Sequence, residues 1–510
     1  MKYTYPVLFF ISLAFLSSCA SFERYRAQFN DMVEQGSYES AARLIERKKF
    51  YRKDRNRVLY YLELGALARL QGDLAKSNEY LNQADYLIED RRASVGAQGA
   101  AMLSNPRVMP YQTEYFENIA VHYLKSLNYL QLNDISAARV EARRTNLRLQ
   151  ELNDAVPDKP LKYNDDALGH IIMGLSYEAN GEWNNAFIAY RNAAKLFMDE
   201  DGRPQPYMGV EMPEQLKCDL VRFARLNGFG GEASRYERLL QPRCKEQNAE
   251  GGSLVLFWEN GQGPIKEQNI LGFDMFRDQD DRQLHFVNRN NDMDYFVEPE
   301  AYSRYDGLEA INNIRVALPA FRERQYPLRR AEVVYPGGMK RLEMVENLNV
   351  VAQQSLRDRF GRELANALLR LAAKEAVEAG LRSVKTKKKS DDEEDSDQEK
   401  AKADDDDEKE DEEYSETLGI LLGATADIVN TITERADTRS WQSLPAEIAY
   451  RRIPLNKGQN DIEVHFYNQF NQRMESHRLH VTGNGRLQVR SLITPDAEVI
   501  QPTKQQQIKP

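Results

Sequence analysis

The chain has 510 residues, 41% of them hydrophobic, which is too long for one ordinary core and apolar enough for two or three. Its formal charge of −10 comes from one place: residues 391–413 hold 16 acids against 3 lysines, and the remainder is close to neutral. Overall acidity therefore excludes no partner, while no basic stripe interleaved with aromatics is read along the chain, which argues against nucleic acid.

At the N-terminus, Lys2 precedes the apolar stretch Val7–Leu16, about half the length that a bilayer span needs and suited to a signal-peptide core. Leu16, Ser17, Ser18 and Cys19 follow in order. This resembles the lipobox of bacterial lipoproteins, in which the cysteine thiol takes a diacylglycerol. The expectation is a signal peptide over 1–18, lipidation of Cys19 and a tether over 19–29. The competing reading is an ordinary cleaved signal with an incidental cysteine. By the same resemblance, Ala20 in place of an aspartate directs the protein to the outer membrane, facing the periplasm. Two or three acyl chains give durable anchoring. No later segment has the apolar length of a bilayer span.

Residues 30–246 read as a degenerate repeat of helical hairpins. Gly174, Tyr177, Gly181, Trp183, Ala186, Tyr190 and Ala193 follow the small–aromatic–turn–aromatic–small pattern of a tetratricopeptide unit. Ala186 and Ala193 let two helices approach closely, and Trp183 and Tyr190 are expected to fill the groove between them. Weaker copies centre on Gly72 and Asn133, with partial ones at Gly36 and Gly228. These turns lie 36, 61, 48 and 47 residues apart, against about 34 in an uninterrupted array. The repeats therefore carry insertions, the longest over 90–113. One hairpin cannot hide its apolar face, so several must stack. Near the end, a helix over 214–227, a break at Asn227-Gly228 and a return helix to 241 bring Cys218 and Cys244 together. Export to an oxidising compartment makes them a candidate disulfide.

After Gly252 the hydrophobic period shortens. Candidate strands are Leu254–Trp258, Gln283–Val287, Ile314–Leu318, Ala331–Tyr335, Ile448–Ile453, Asp461–Tyr467, His477–Val481 and Leu487–Ile493, with Asn484-Gly485 as a hairpin turn between the last two. The expected fold class is α+β: a TPR-like α-solenoid, then a small β-sandwich-like domain over 251–345 and 439–496. A helical hairpin over 346–438 interrupts it; it is expected to pack on the sandwich, the alternative being a membrane-touching or partner-binding hairpin. Its first arm, Asn347–Val384, repeats Leu356, Phe360, Leu364, Leu368 and Leu371 at helical spacing. Its second, Ser415–Ala436, carries LGILLGATADIV. The acidic loop between them, 385–414, repels itself and buries nothing. It lacks the spacing of a calcium loop. A flexible tail is expected over 497–510.

The runs Pro110–Asn146, Tyr163–Phe197, Glu259–Gln268 (ENGQGPIKEQ) and Ala436–Ile448 (ADTRSWQSLPAEI) resemble a family of tetratricopeptide-containing lipoproteins of Gram-negative bacteria. The resemblance implies an envelope lipoprotein. Some relatives are encoded beside a lipoprotein activator of peptidoglycan synthases, which hints at a process and implies no activity. Within the first run, Glu114, Glu117, His122, Tyr123, Glu141, Arg143, Arg144 and Asn146 are candidates for a concave groove that contacts a peptide or protein; the alternative is interhelical salt bridges and caps. Asp437 and Arg439 are candidates for a pair at a structural junction.

No metalloprotease HExxH, nucleophile elbow, P-loop or dinucleotide glycine motif is present, and the six histidines are scattered. No catalytic residue, metal site or cofactor is expected, and the protein is read as no enzyme. The leading function is a membrane-anchored interaction scaffold for an unidentified envelope protein or peptide. The alternative is a glycan- or peptidoglycan-binding module, or an envelope enzyme, using the β domain.

Overall fold

The computed structural model describes residues 25–93, 107, 109–154, 161–244, 249–278, 283–288, 293–297, 313–367 and 435–495. The expected signal peptide, Cys19, the acidic loop, the second helical arm up to residue 434 and the tail lie outside these residues. No described helix is long and apolar enough to cross a membrane.

Among the described residues, five antiparallel helical hairpins follow one another. They are α1 (25–34) with α2 (Tyr38–Arg47), α4 (Arg57–Leu70) with α5 (Leu74–Ala93), α6 (Tyr115–Gln131) with α7 (Ile135–Asp154), α8 (Ala167–Ala179) with α9 (Trp183–Leu196), and α10 (Glu214–Leu226) with α11 (Gly230–Leu240). A short helix, α3 (Lys49–Arg52), joins the first two hairpins. Each turn needs one residue with positive φ: Gly36, Gly72, Gly181 and Gly228 supply it, and Asn133, at φ 60°, takes that place in the third. Close approach within a hairpin has a visible cause. A Cβ on Gly174 would lie 2.6 Å from the Tyr190 ring, and one on Gly65 would lie 2.8 Å from Leu81. Ala186, Tyr190 and Ala193 are fully buried as the pattern requires. Trp183 is not: it is 47% exposed at the tip of its hairpin, 6.1 Å from Phe223 of the next hairpin. Cys218 in α10 and Cys244 beyond α11 are joined by a disulfide.

All eight expected strands fall within strands, and four more are present. The twelve form three four-stranded sheets. The first, in order β12-β1-β9-β8, comprises β12 (Arg486–Thr494), β1 (Gly252–Asn260), β9 (Glu447–Pro454) and β8 (Glu343–Asn347). The second, β11-β10-β6-β7, comprises β11 (Arg473–Gly483), β10 (Gly458–Asn468), β6 (Leu328–Tyr335) and β7 (Gly338–Arg341). The third, β4-β3-β2-β5, is built from β4 (Met293–Val297), β3 (Gln283–Asn288), β2 (Ile265–Asp278) and β5 (Asn313–Arg322). Strands before and after the helical excursion share the first two sheets: β1 pairs with β9, and β6 with β10.

The run Leu254–Trp258 is apolar at every position because the first sheet is covered on both faces. Leu254, Leu256 and Trp258 pack with Val333, Val464 and Phe466 of the second sheet. Val255 and Phe257, with Tyr450 and Val489, join the core of the helices. Helices, first sheet and second sheet thus stack as three layers, with one core on each face of the first sheet. Helix α12 (348–367) differs from expectation. Leu348, Val351 and Ala352 enter the helical core, Asp358 accepts the Tyr163 N–H at 2.9 Å and Arg359 pairs with Glu114. The first arm of the excursion therefore packs on the helical array.

Asn484-Gly485 does not close a hairpin. β11 and β12 lie in different sheets, and β12 runs parallel to β1. The turn is a corner where chains cross so closely that a Cβ on Gly252 would stand 2.2 Å from the Arg486 carbonyl oxygen. Crowding of backbones explains this glycine better than a linker does.

Candidate functional site

The eight residues expected in a groove separate into two buried clusters and a surface remnant. In the first cluster Asp85 of α5 faces α6 and α7. Lys125 Nζ lies 3.1 Å from Asp85 and 2.9 Å from Glu141, while His122 Nδ1 is 2.9 Å from Glu141. Arg144 pairs with Asp85 from the exposed edge. Burial acts to raise both carboxyls, but His122 and Lys125 outweigh it and hold Asp85 and Glu141 below the usual carboxylate range. Asp85, His122 and Glu141 bring metal-ligating atoms together, yet the Lys125 ammonium already occupies the cation position. Glu214, Cys218 and Cys244 form a second such group, whose two sulfurs are consumed in the disulfide.

The second cluster lies where helices meet the segment re-entering the sheets. Glu114 caps α6, and Glu117 Oε2 accepts the Glu114 N–H at 2.8 Å. Glu114 also accepts from Lys266 of β2 at 2.7 Å and from Arg359. Glu117 has no cation in contact: it accepts from the Tyr111 hydroxyl at 2.6 Å and the Trp441 N–H at 2.8 Å. Burial, then repulsion by Glu114, pushes its carboxyl up to about 7. Glu63 beside it accepts from the Gln442 N–H at 3.0 Å and from Ser443, and burial pushes it to about 7 as well. Arg324, fully buried, donates to Gln262, the Gly263 carbonyl, Asn30 and the Gln442 carbonyl. Asp437 pairs with Arg439 at 2.6 Å, and Arg439 reaches Asn56 at 2.7 Å. The segments ENGQGP and DTRSWQSLP are the two strips of backbone that this network clamps.

The expectation of an open groove formed by these eight residues is therefore corrected. Glu114, Glu117, His122, Tyr123 and Glu141 are buried; Arg143 and Arg144 are exposed, and Asn146 is half-buried. Burial has two causes: α5 packs over His122 and Glu141 within the array, while β2, α12 and the re-entering segment cover Glu114 and Glu117. Arg69 of α4 reaches Glu259 of β1 at 2.5 Å, and Gln131 of α6 accepts the Ser491 N–H of β12 at 3.0 Å.

Among the described residues, a cleft of about 2160 Å³ opens between the last helical hairpins and the sheet corners. Its floor is a closed network in which Arg452 of β9 reaches Glu178 of α8 at 2.6 Å and Asp219 of α10 at 3.2 Å, and Arg222 bridges the same two acids. Burial opposes ionisation of Glu178, but Arg452 and Arg222 hold its carboxyl low. The rim is different. Seven cationic side chains line the cleft against four acidic ones, a surplus of three, with Arg243, Lys340 and Arg486 above the paired floor. Burial and the neighbouring Arg451 push the Lys340 ammonium down from its ordinary value, a sign of crowded positive charge. Exposed Trp183, Leu226 and Met339 stand on the same rim. No histidine lines it. The arrangement suits binding of acidic groups beside apolar ones; it assembles no nucleophile with a base. Sequence reasoning passed over this cleft because its walls come from three hairpin turns and two strand corners far apart in the chain.

It also passed over a basic stretch. Residues 43–57 hold eight basic side chains and two acids, with Phe50 and Tyr51 among them, so the chain does contain the stripe that a whole-chain charge count conceals.

No protein-family model matches the sequence, and no curated protein matches it. Among solved structures, it is similar to MamA AMB-1, at 16% identity over 43% of this chain and 88% of that one with a TM-score of 0.26. It is also similar to a second MamA structure, at 16% identity over 42% and 92% with a TM-score of 0.27. A Podosopora anserina protein with nearly identical TPR-like repeats gives 12% identity over 43% and 92% and a TM-score of 0.27. Likeness at that level shows neither family nor activity. The helical-hairpin architecture stands on the packing described above.

Proposed function

We propose that the protein is a lipid-anchored scaffold of the cell envelope that holds an acidic, partly apolar segment of a partner protein in the cleft between its last helical hairpins and its sheets. The observation that carries this is the cleft's rim, where unburied Trp183, Leu226 and Met339 stand beside a surplus of three positive charges. Trp183 leaves 47% of its surface to solvent at a hairpin tip, and aromatic and arginine side chains dominate protein-binding energetics. Anchoring rests on the apolar stretch and Leu16-Ser17-Ser18-Cys19, and the outer membrane is the proposed address. The role is binding without catalysis.

The test places a photo-reactive residue at Leu226, and as a control at Phe470, in cells. This reading expects a protein adduct at 226 alone, lost when Lys340→Glu and Arg486→Glu reverse the rim. Capture of muropeptides or sugars with no protein adduct favours the glycan-binding alternative and overturns it. Anchoring is tested separately: Cys19→Ser releases the protein into the soluble fraction, and continued sedimentation with membranes contradicts lipidation.

A further inference from the structure

The other end of the helical array carries a dense patch of positive charge. The end of α2, α3, the 3-10 turn Asp54–Asn56 and the start of α4 hold eight basic residues against Glu46 and Asp54, a net of +6. None of the eight is buried. Aromatic rings stand among them: Lys48 Nζ lies 4.0 Å from the centre of the Tyr25 ring, and the Arg57 guanidinium lies 5.8 Å from Tyr60 and 6.0 Å from Tyr61. Tyr25 opens the first described helix, so the patch adjoins the point where the chain enters the folded body.

We propose that this patch is a second membrane contact, seated on anionic phospholipid headgroups; the inference rests on the lipid anchor at Cys19. Covalent reach supplies the argument. Five residues lie between Cys19 and Tyr25, and the six extended Cα–Cα steps that join them span at most about 22 Å. An acylated Cys19 thus keeps Tyr25, and Lys48 against it, close to the headgroup layer. Basic side chains held there gain attraction to anionic lipid over a Debye length of about 8–10 Å, and tyrosine rings suit the boundary between water and acyl chains. A lipid anchor acting with a polybasic patch binds more firmly than either alone. It also sets orientation: the first hairpin faces the bilayer while the cleft, at the last hairpins, is left to partners.

The experiment uses the purified, lipidated full-length protein in vesicles of phosphatidylcholine, with or without phosphatidylglycerol, and reads amide hydrogen exchange over residues 43–57. Exchange there is expected to slow on the phosphatidylglycerol vesicles only. That protection is lost in high salt and in the variant Arg47→Gln, Lys48→Gln, Arg52→Gln, Arg55→Gln, which still floats with both vesicles through Cys19 and keeps slow exchange in α4. Equal exchange on the two vesicle types, with the protein floating on both, overturns the patch and leaves the anchor standing. Failure of the parent to float on either overturns the anchor and the patch with it. Protection by inorganic phosphate or single-stranded DNA in place of vesicles also overturns it.

Discussion

The interior of the helical array and the junction between helices and sheets both bury carboxylates, and they handle the charge in opposite ways. Asp85 and Glu141 each touch the Lys125 ammonium, so their environment favours the ionised form. Glu63 and Glu117 meet backbone N–H groups and hydroxyls with no cation in contact, so burial dominates and both are pushed up to about 7. Buried carboxylates persist either by pairing or by keeping a proton. Asp85 and Glu141 pair; Glu63 and Glu117 keep protons, beside a Glu114 that pairs with Lys266 and Arg359.

The largest effect expected from this contrast is at Lys125. Lys125→Met removes the ammonium shared by two buried carboxylates, leaving Asp85 to Arg144 and Glu141 to His122, and is expected to cost about 3 kcal/mol, read as a fall in the urea midpoint. A loss under about 1 kcal/mol would break the comparison. Next come Glu63 and Glu117. Their folded-state values lie above the ordinary carboxylate range, so the native state binds more protons from about pH 4.5 to 7 and stability falls as pH rises through that window, by roughly 3 kcal/mol for each group. Glu63→Gln removes one of these steps, so the variant's midpoint changes less between pH 5 and 8 than the parent's; an unchanged pH profile would show that Glu63 is ionised in the fold. Asp85, Glu114, Glu141 and Glu178 act in the other direction. Their contribution is present above the unfolded carboxylate value and is lost as pH falls below it, so acid unfolding below about pH 4 is expected to become shallower in Asp85→Asn at equal starting stability. The smallest effect is at the surface pair of Arg43 and Glu39, 2.7 Å apart on α2. Arg43→Gln is expected to shift stability by less than about 0.5 kcal/mol, which fixes the scale against which the buried pairs are judged.

Much of the helical half was legible because its signals are local. Gly36, Gly72, Asn133, Gly181 and Gly228 mark turns through a backbone requirement that each residue meets alone, and Ala186, Tyr190 and Ala193 recur at the spacing that puts them on one face. The disulfide partners were legible for the same reason, since one hairpin brings both together. In the β half, Leu254–Trp258 announced a strand, but its unbroken apolar run also meant cover on both faces, and the partners of that strand, β9 and β12, lie some two hundred residues away.

The fate of the polar residues was decided elsewhere. Glu114, Glu117, His122 and Glu141 look like a solvated face when read on one helix, because a 3.6-residue period says which side a residue is on and not what covers it. Cover came from α5 for His122 and Glu141 and from β2, α12 and the re-entering segment for Glu114 and Glu117, elements remote in sequence, and it turned a prospective groove into salt bridges and protonated acids. The cleft has the same origin: Trp183, Lys340 and Arg486 become neighbours through tertiary packing alone. Local period and composition were enough to mark the helical hairpins, eight of the strands and the apolar stretch leading to Cys19, for each depends on neighbouring residues alone. Only the tertiary structure decided which charges are buried and which surface stays open, for both depend on long-range contacts whose register no local pattern encodes.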